Sequence, residues 1–106
     1  MTARVCGASG CVVIRDDRLL SSVFQFSEAF KMAPTPRPAP FWKIEFRWRG
    51  NAFPPTQYLY VPSRQRLRIH APGAMYWRPL PWTLGRPLAQ MTRNINPYLM
   101  PRRWPR

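Results

Sequence analysis

The sequence predicts a small α+β chain with one N-terminal amphipathic helix, a short three-stranded antiparallel meander, and a long extended Pro/Arg-rich C-terminal tail. Residues 16–31 place apolar side chains at helical spacing, and residues 41–49 and 64–70 alternate between two faces with period two. Residues 71–106 do neither. At 106 residues the chain has room for one small domain at most. The expected organisation is an N-terminal segment over 1–33, a proline-rich spacer over 34–40, a small sheet over 41–70 and a basic tail over 71–106.

Residues 1–15 read as irregular, because Gly7 and Gly10 loosen the backbone. Cys6 and Cys11 are separated by four residues. A structural zinc site normally repeats a closer pair, and His70 is the one further ligand of the usual kind, so no metal is expected from this chain alone. Two ordinary thiols are the leading expectation. A disulfide and a metal completed by another chain stay open.

The helix begins at Asp16, whose side chain suits an N-cap, and Asp17 suits the positive end of the helix dipole. Leu19, Leu20, Val23, Phe24, Ser27 and Phe30 trace one face. The alternating prolines of Pro34–Pro40 end any helix and predict a stiff polyproline II spacer. Across 41–49, Trp42, Ile44, Phe46 and Trp48 alternate with Lys43, Glu45, Arg47 and Arg49, the pattern of a half-buried strand. Residues 56–61 form a second strand and 64–70 a third, joined through Pro62-Ser63. Gly50–Pro55 is a longer connector. Beyond Ala71, seven prolines interrupt the chain, leaving room for one helical turn near Leu88–Arg93.

The charge is one-sided. The chain carries 17 Lys and Arg against 4 Asp and Glu, for a formal +13. Residues 46–106 contain eleven arginines, no lysine and no acid. A surface under selection for solubility alone mixes signs, so this stretch points to an anionic neighbour. Arginine also outnumbers lysine 15 to 2. Guanidinium groups fork onto phosphate oxygens and stack on planar rings, although a GC-rich genome produces the same bias.

The candidate RNA- or acidic-partner-binding residues are therefore Arg47, Arg49, Arg64, Arg66, Arg68, Arg78, Arg86, Arg93, Arg102, Arg103 and Arg106. Trp77, Trp82, Tyr98 and Trp104 are candidates for stacking or interface packing. A nucleophile–base pair, a phosphate-binding glycine loop and a metalloprotease motif are all missing from the sequence. No catalysis and no cofactor are expected. No apolar run reaches membrane-spanning length. Arg4 and Arg15 resemble the charge of a short organellar presequence until Asp16 and Asp17 interrupt it.

The function expected from these features is that of a non-catalytic structural subunit of a large ribonucleoprotein, a mitochondrial ribosome in particular. Its tail would be ordered by rRNA and neighbouring subunits. The alternative is an accessory subunit of an inner-membrane respiratory or ATP synthase complex, contacting acidic subunits and cardiolipin. Both place the protein in the matrix or on the matrix face of the inner membrane, and neither makes it an independent homo-oligomer.

Overall fold

In the computed structural model, residues 1–26, 32–51, 56–71 and 74–105 are described. Six strands form one antiparallel sheet in the order β2–β1–β3–β4–β5–β6. They are β1 (Thr2–Gly7), β2 (Gly10–Val13), β3 (Trp42–Arg47), β4 (Thr56–Val61), β5 (Arg66–Ala71) and β6 (Ala74–Pro79). Helix α1 (Asp17–Phe26) follows β2, and α2 (Trp82–Met91) follows β6. The expected meander is therefore only the centre of the sheet, and the expected extended tail is not extended.

β3 and β5 follow their alternation, and β4 between them is buried on both faces from Tyr58 to Val61. Ile44 and Phe46 of β3, Tyr58 and Tyr60 of β4, and Leu67 and Ile69 of β5 share one face and are buried. Leu19 and Val23 of α1 and Leu84 and Leu88 of α2 close over them. Burying a Leu or Val of this kind contributes roughly 1.5–3 kcal/mol, so a few such residues hold each short helix in place. Asp16 caps α1 as its sequence position predicts, with its Oδ1 accepting from Arg18 N at 2.9 Å and Leu19 N at 3.3 Å. The expected continuation through Ser27, Phe30 and Lys31 lies outside the described residues, as do 52–55 of the connector and Pro72.

Residues 1–15 are not irregular. Ala3 and Val5 point into the helix-side core, and β1 pairs with both β2 and β3. The turn between β1 and β2 is Ala8-Ser9, flanked by facing Gly7 and Gly10. Gly10 has φ +145°, which side chains rarely adopt. Gly7 is required for a different reason, since a Cβ there would lie 2.1 Å from the Asn96 carbonyl oxygen. That close approach lets Ala8 N donate to Asn96 O at 2.8 Å and docks the C-terminal segment on the hairpin. Cys6 and Cys11 face each other across the same pair of strands and form a disulfide, which overturns the expectation of two ordinary thiols.

The C-terminal third folds despite its prolines, two of which sit at element ends and one inside a helix. Pro79 ends β6, and Pro81 precedes the first turn of α2. Pro87 removes one helical hydrogen bond, and α2 persists because Leu84 and Leu88 are held by the sheet. Thr92 closes the helix end, its hydroxyl donating to Leu88 O at 2.8 Å.

The segment after α2 packs on the other face of the sheet. There Ala39, Phe41, Leu59, Val61 and Trp77 form a second buried cluster, with Tyr98 and Trp104 packed on it. Phe41 and Tyr98 exchange backbone hydrogen bonds of 3.2 and 2.8 Å. Trp104 lies against Trp77 and Phe41 at centroid distances of 4.9 and 5.8 Å. Its indole N–H donates to Pro36 O at 2.9 Å. The radius of gyration, 12.9 Å, is that of a folded domain of this length, about 13 Å.

Trp104→Ala is expected to cost about 3 kcal/mol through lost ring packing and a lost hydrogen bond. A lowered urea midpoint checks this, and an unchanged midpoint would mean that the C-terminal segment lies free. Burial of Tyr60 pushes its phenol up to about 12 from the ordinary 10. The folded state thus holds that proton more tightly than the unfolded chain. The stability it contributes is complete below pH 10 and is lost as pH rises through about 12. Thermal unfolding should drop steeply across that window in the wild type and less steeply in Tyr60→Phe.

Candidate functional site

Facing residues in an antiparallel ladder point to the same side, so the registers show what the second face of the sheet presents. One row crosses all six strands: Cys11, Cys6, Lys43, Leu59, Arg68 and Trp77. The C-terminal segment covers this row at Lys43, Arg68 and Trp77, while Cys11 at its edge is exposed. Lys43 Nζ sits 5.0 Å from the Tyr98 ring centroid, and Arg68 Cζ sits 5.9 Å from that of Trp77. Arg68 Nη1 donates to the Pro105 carbonyl. Desolvation lowers the Arg68 pKa, and its buried Nε has no hydrogen-bond partner among the described residues. Arg68 therefore acts inside the fold, tying the end of the chain to the sheet.

The next row, Val13, Arg4, Glu45 and Gln57, is open or half-open to solvent. Arg4 Nε donates to Glu45 Oε2 at 2.8 Å, the one ion pair among the described residues. Exposed His70 and Met75 pair with each other on the same face.

The candidates on and beside the central strands, Arg47, Arg49, Arg64, Arg66 and Arg68, are consequently divided. Arg47 pairs with Thr2 at one end of the sheet, whereas Arg66 pairs with Val61 near the other. Along β4, Val61 lies five residues from Thr56, which faces Phe46, a separation of about 17 Å. Arg64 is exposed in the turn before β5, and half-buried Arg66 donates from Nη1 to the Arg64 and Gln65 carbonyls at 3.2 and 3.3 Å. Arg68 lies covered between the two ends.

The other candidates divide the same way. Arg78 points to the helix side and is 1% exposed. Arg86 and Arg93 are exposed on and just after α2, and Arg102 and Arg103 are exposed beyond it; Arg106 lies outside the described residues. Among the aromatics, Trp77, Tyr98 and Trp104 are engaged in the second cluster, whereas Trp82 is 75% exposed, one helical turn before Arg86.

The structure adds one feature that alternation concealed. A cleft of about 400 Å³ at the end of β3 is lined by Met1, Thr2, Arg47, Trp48 and Arg49. The strand pattern assigns Trp48 to the same apolar face as Trp42 and Phe46. The ladder, however, ends at Arg47, and Trp48 instead lines this cleft between two exposed arginines. Gly50-Asn51, a turn signal immediately downstream, is the sequence feature that marks the end of the alternation. Among the described residues, no acid lines the cleft.

Among the described residues, no cluster of three or more His, Cys, Asp or Glu can hold a metal ion, and no helix is long and apolar enough to cross a membrane. Compared with known protein families, curated proteins and solved structures, the chain matches none, so the geometry carries the functional argument.

The arginines thus fall into structural and surface groups that mutation separates. Arg78→Ala should cost about 3 kcal/mol, because it empties a buried site and removes a buried charged donor. Arg86→Ala should stay within roughly 0.5 kcal/mol. Urea unfolding of both variants checks the division, and equal losses would overturn it.

Proposed function

We propose that this protein is a non-catalytic RNA-binding structural subunit of a ribonucleoprotein, with the mitochondrial ribosome as the particular assembly. The observation that supports this reading is unopposed cationic surface. Arg47, Arg49, Arg64, Arg86, Arg93, Arg102 and Arg103 are all exposed, and none is in an ion pair among the described residues. Asp16 is occupied in capping α1, and Glu45 is held by Arg4. Such a surface exchanges bound counterions for phosphates and positions the protein without reading sequence.

The disulfide bears on the compartment. A closed Cys6–Cys11 bridge favours an oxidising environment and weighs against a reducing matrix. Trapping free thiols in native extract, followed by mass analysis, decides which form the assembled protein carries.

A second reading keeps the accessory-subunit alternative. Leu99 and Met100 are 86% and 64% exposed and stand beside exposed Arg102 and Arg103. Apolar side chains next to cations are the chemistry that meets an anionic headgroup region such as cardiolipin.

The purified protein should bind single-stranded RNA with an affinity that falls steeply with salt. Six phosphate contacts correspond to about a thousandfold loss between roughly 50 and 200 mM. Absence of binding at low salt would defeat the RNA reading, and binding confined to cardiolipin vesicles would favour the second. In native lysate, co-sedimentation with a large particle should disappear after RNase treatment.

A further inference from the structure

We propose that the Cys6–Cys11 disulfide is a thiol-exchange site, capturing a low-mass thiol on Cys11 while Cys6 leaves as a thiolate beside Lys43. This activity stands apart from the RNA reading above and does not rest on it.

Access is the first support. A thiolate attacks a disulfide in line with the S–S bond, from the side opposite the sulfur that leaves, so access decides which sulfur is attacked. Cys11 is exposed on β2, the outermost strand, whereas Cys6 is 2% exposed on β1 between β2 and β3. The line from Cys6 to Cys11 crosses the strands and continues past the sheet edge. A small thiolate therefore reaches Cys11 from open solvent. Approach to Cys6 from its far side is obstructed by the next residue of the row, Lys43, whose Nζ lies 5.0 Å from the Tyr98 ring centroid.

The leaving group is the second. Cys6 faces Lys43 directly in the β1–β3 register, and facing Cβ atoms in such a ladder lie about 4.5–5.5 Å apart. A neighbouring ammonium lowers the pKa of a thiol, and a thiol of lower pKa leaves faster. Lys43 is half-buried and forms no ion pair among the described residues, and the acid on its strand, Glu45, is held by Arg4 at 2.8 Å. Its charge is left for the departing sulfur.

The third is the frame around the bond. Val5 pairs with Val12 and Gly7 with Gly10 on either side of the cysteines, and Ile14 N donates to Ala3 O at 2.9 Å. The turn is fastened separately, by Ala8 N donating to Asn96 O and Asn96 N to Ser9 Oγ, both at 2.8 Å. The two cysteines thus still face each other once the bond opens. The chain has two in all, so within it Cys6 reseals only onto Cys11.

In the forward step the thiolate bonds to Cys11 Sγ, the Cys6–Cys11 bond breaks, and its electron pair leaves on Cys6 Sγ. One disulfide is exchanged for another, and the proton of the incoming thiol passes to water. Resealing reverses the step, with Cys6 attacking Cys11 Sγ and expelling the small thiolate.

The test treats the oxidised full chain with reduced glutathione, quenches in acid and maps the adduct by peptide mass. Glutathione is expected on Cys11, with Cys6 free, and transfer to thiol-free buffer should restore the disulfide. Lys43→Gln should form the adduct at least about threefold more slowly, whereas Lys43→Arg should keep the wild-type rate. In denaturing urea all three chains should react equally. Thermal unfolding confirms that the variants are folded; should Lys43→Gln fail to fold, the position of the wild-type adduct decides.

Adducts divided equally between Cys6 and Cys11 would overturn the direction of attack. No adduct on the folded chain, with rapid reaction in urea, would make the bridge a structural one and sink the proposal. A folded Lys43→Gln variant reacting at the wild-type rate would overturn the role given to Lys43.

Discussion

A wide sheet built from a short chain has two faces to cover and few residues to cover them with. Here α1 and α2 cover one face, and the second is left to proline-rich segments that form no regular structure. Such segments bring carbonyl acceptors without matching N–H donors, and those acceptors need partners when they pack against protein. Long side chains supply them. Trp104 donates to Pro36 O, Trp42 to Ile95 O and Arg68 to Pro105 O. Backbone bonds at Ala33 to Trp77 and between Phe41 and Tyr98 complete the attachment. Without these contacts Leu59, Val61 and Trp77 would face water, and the six strands would form a one-sided sheet.

This arrangement also divides the basic residues. Arginine is suited to the interior role because its stem packs and its donors reach several acceptors. Arg68 and Arg78 are used in that way, and Lys43 stacks over Tyr98. Of the three acids among the described residues, Asp16 serves a helix start and Glu45 holds Arg4, while Asp17 is exposed in the first turn of α1. The exposed arginines of residues 46–106 therefore stand without an acid partner among the described residues, a result of where the acids were used as much as of their number.

The legible parts of the sequence were those where one face is apolar and the other polar over several residues. β3 and β5 alternate between two faces, β4 is a run of β-forming residues, and the Asp16 cap precedes a recognisable helical stripe. β6 was not legible because both faces are covered, so Trp77 and Arg78 are buried side by side and alternation vanishes. β1 and β2 are short and contain small residues and glycines that also suit loops. α2 contains Gly85 and Pro87, and its helical state depends on Leu84 and Leu88 finding the sheet. The candidate site was legible only as chemistry. An Arg-Trp-Arg triplet was visible, but its separation from Arg64 and Arg66 depends on strand register.

By itself the sequence determined the charge imbalance, the central strands and the first helix start, since each arises from composition or from side chains within a few residues of one another. The tertiary structure alone decided the sheet's width, the disulfide, the packed C-terminal segment and the division of arginines between interior and surface. Those features join residues as distant as Gly7 and Asn96 or Arg68 and Pro105. Long-range contacts of that kind leave no local period, because the partner that completes a hydrogen bond or an apolar face lies elsewhere in the chain.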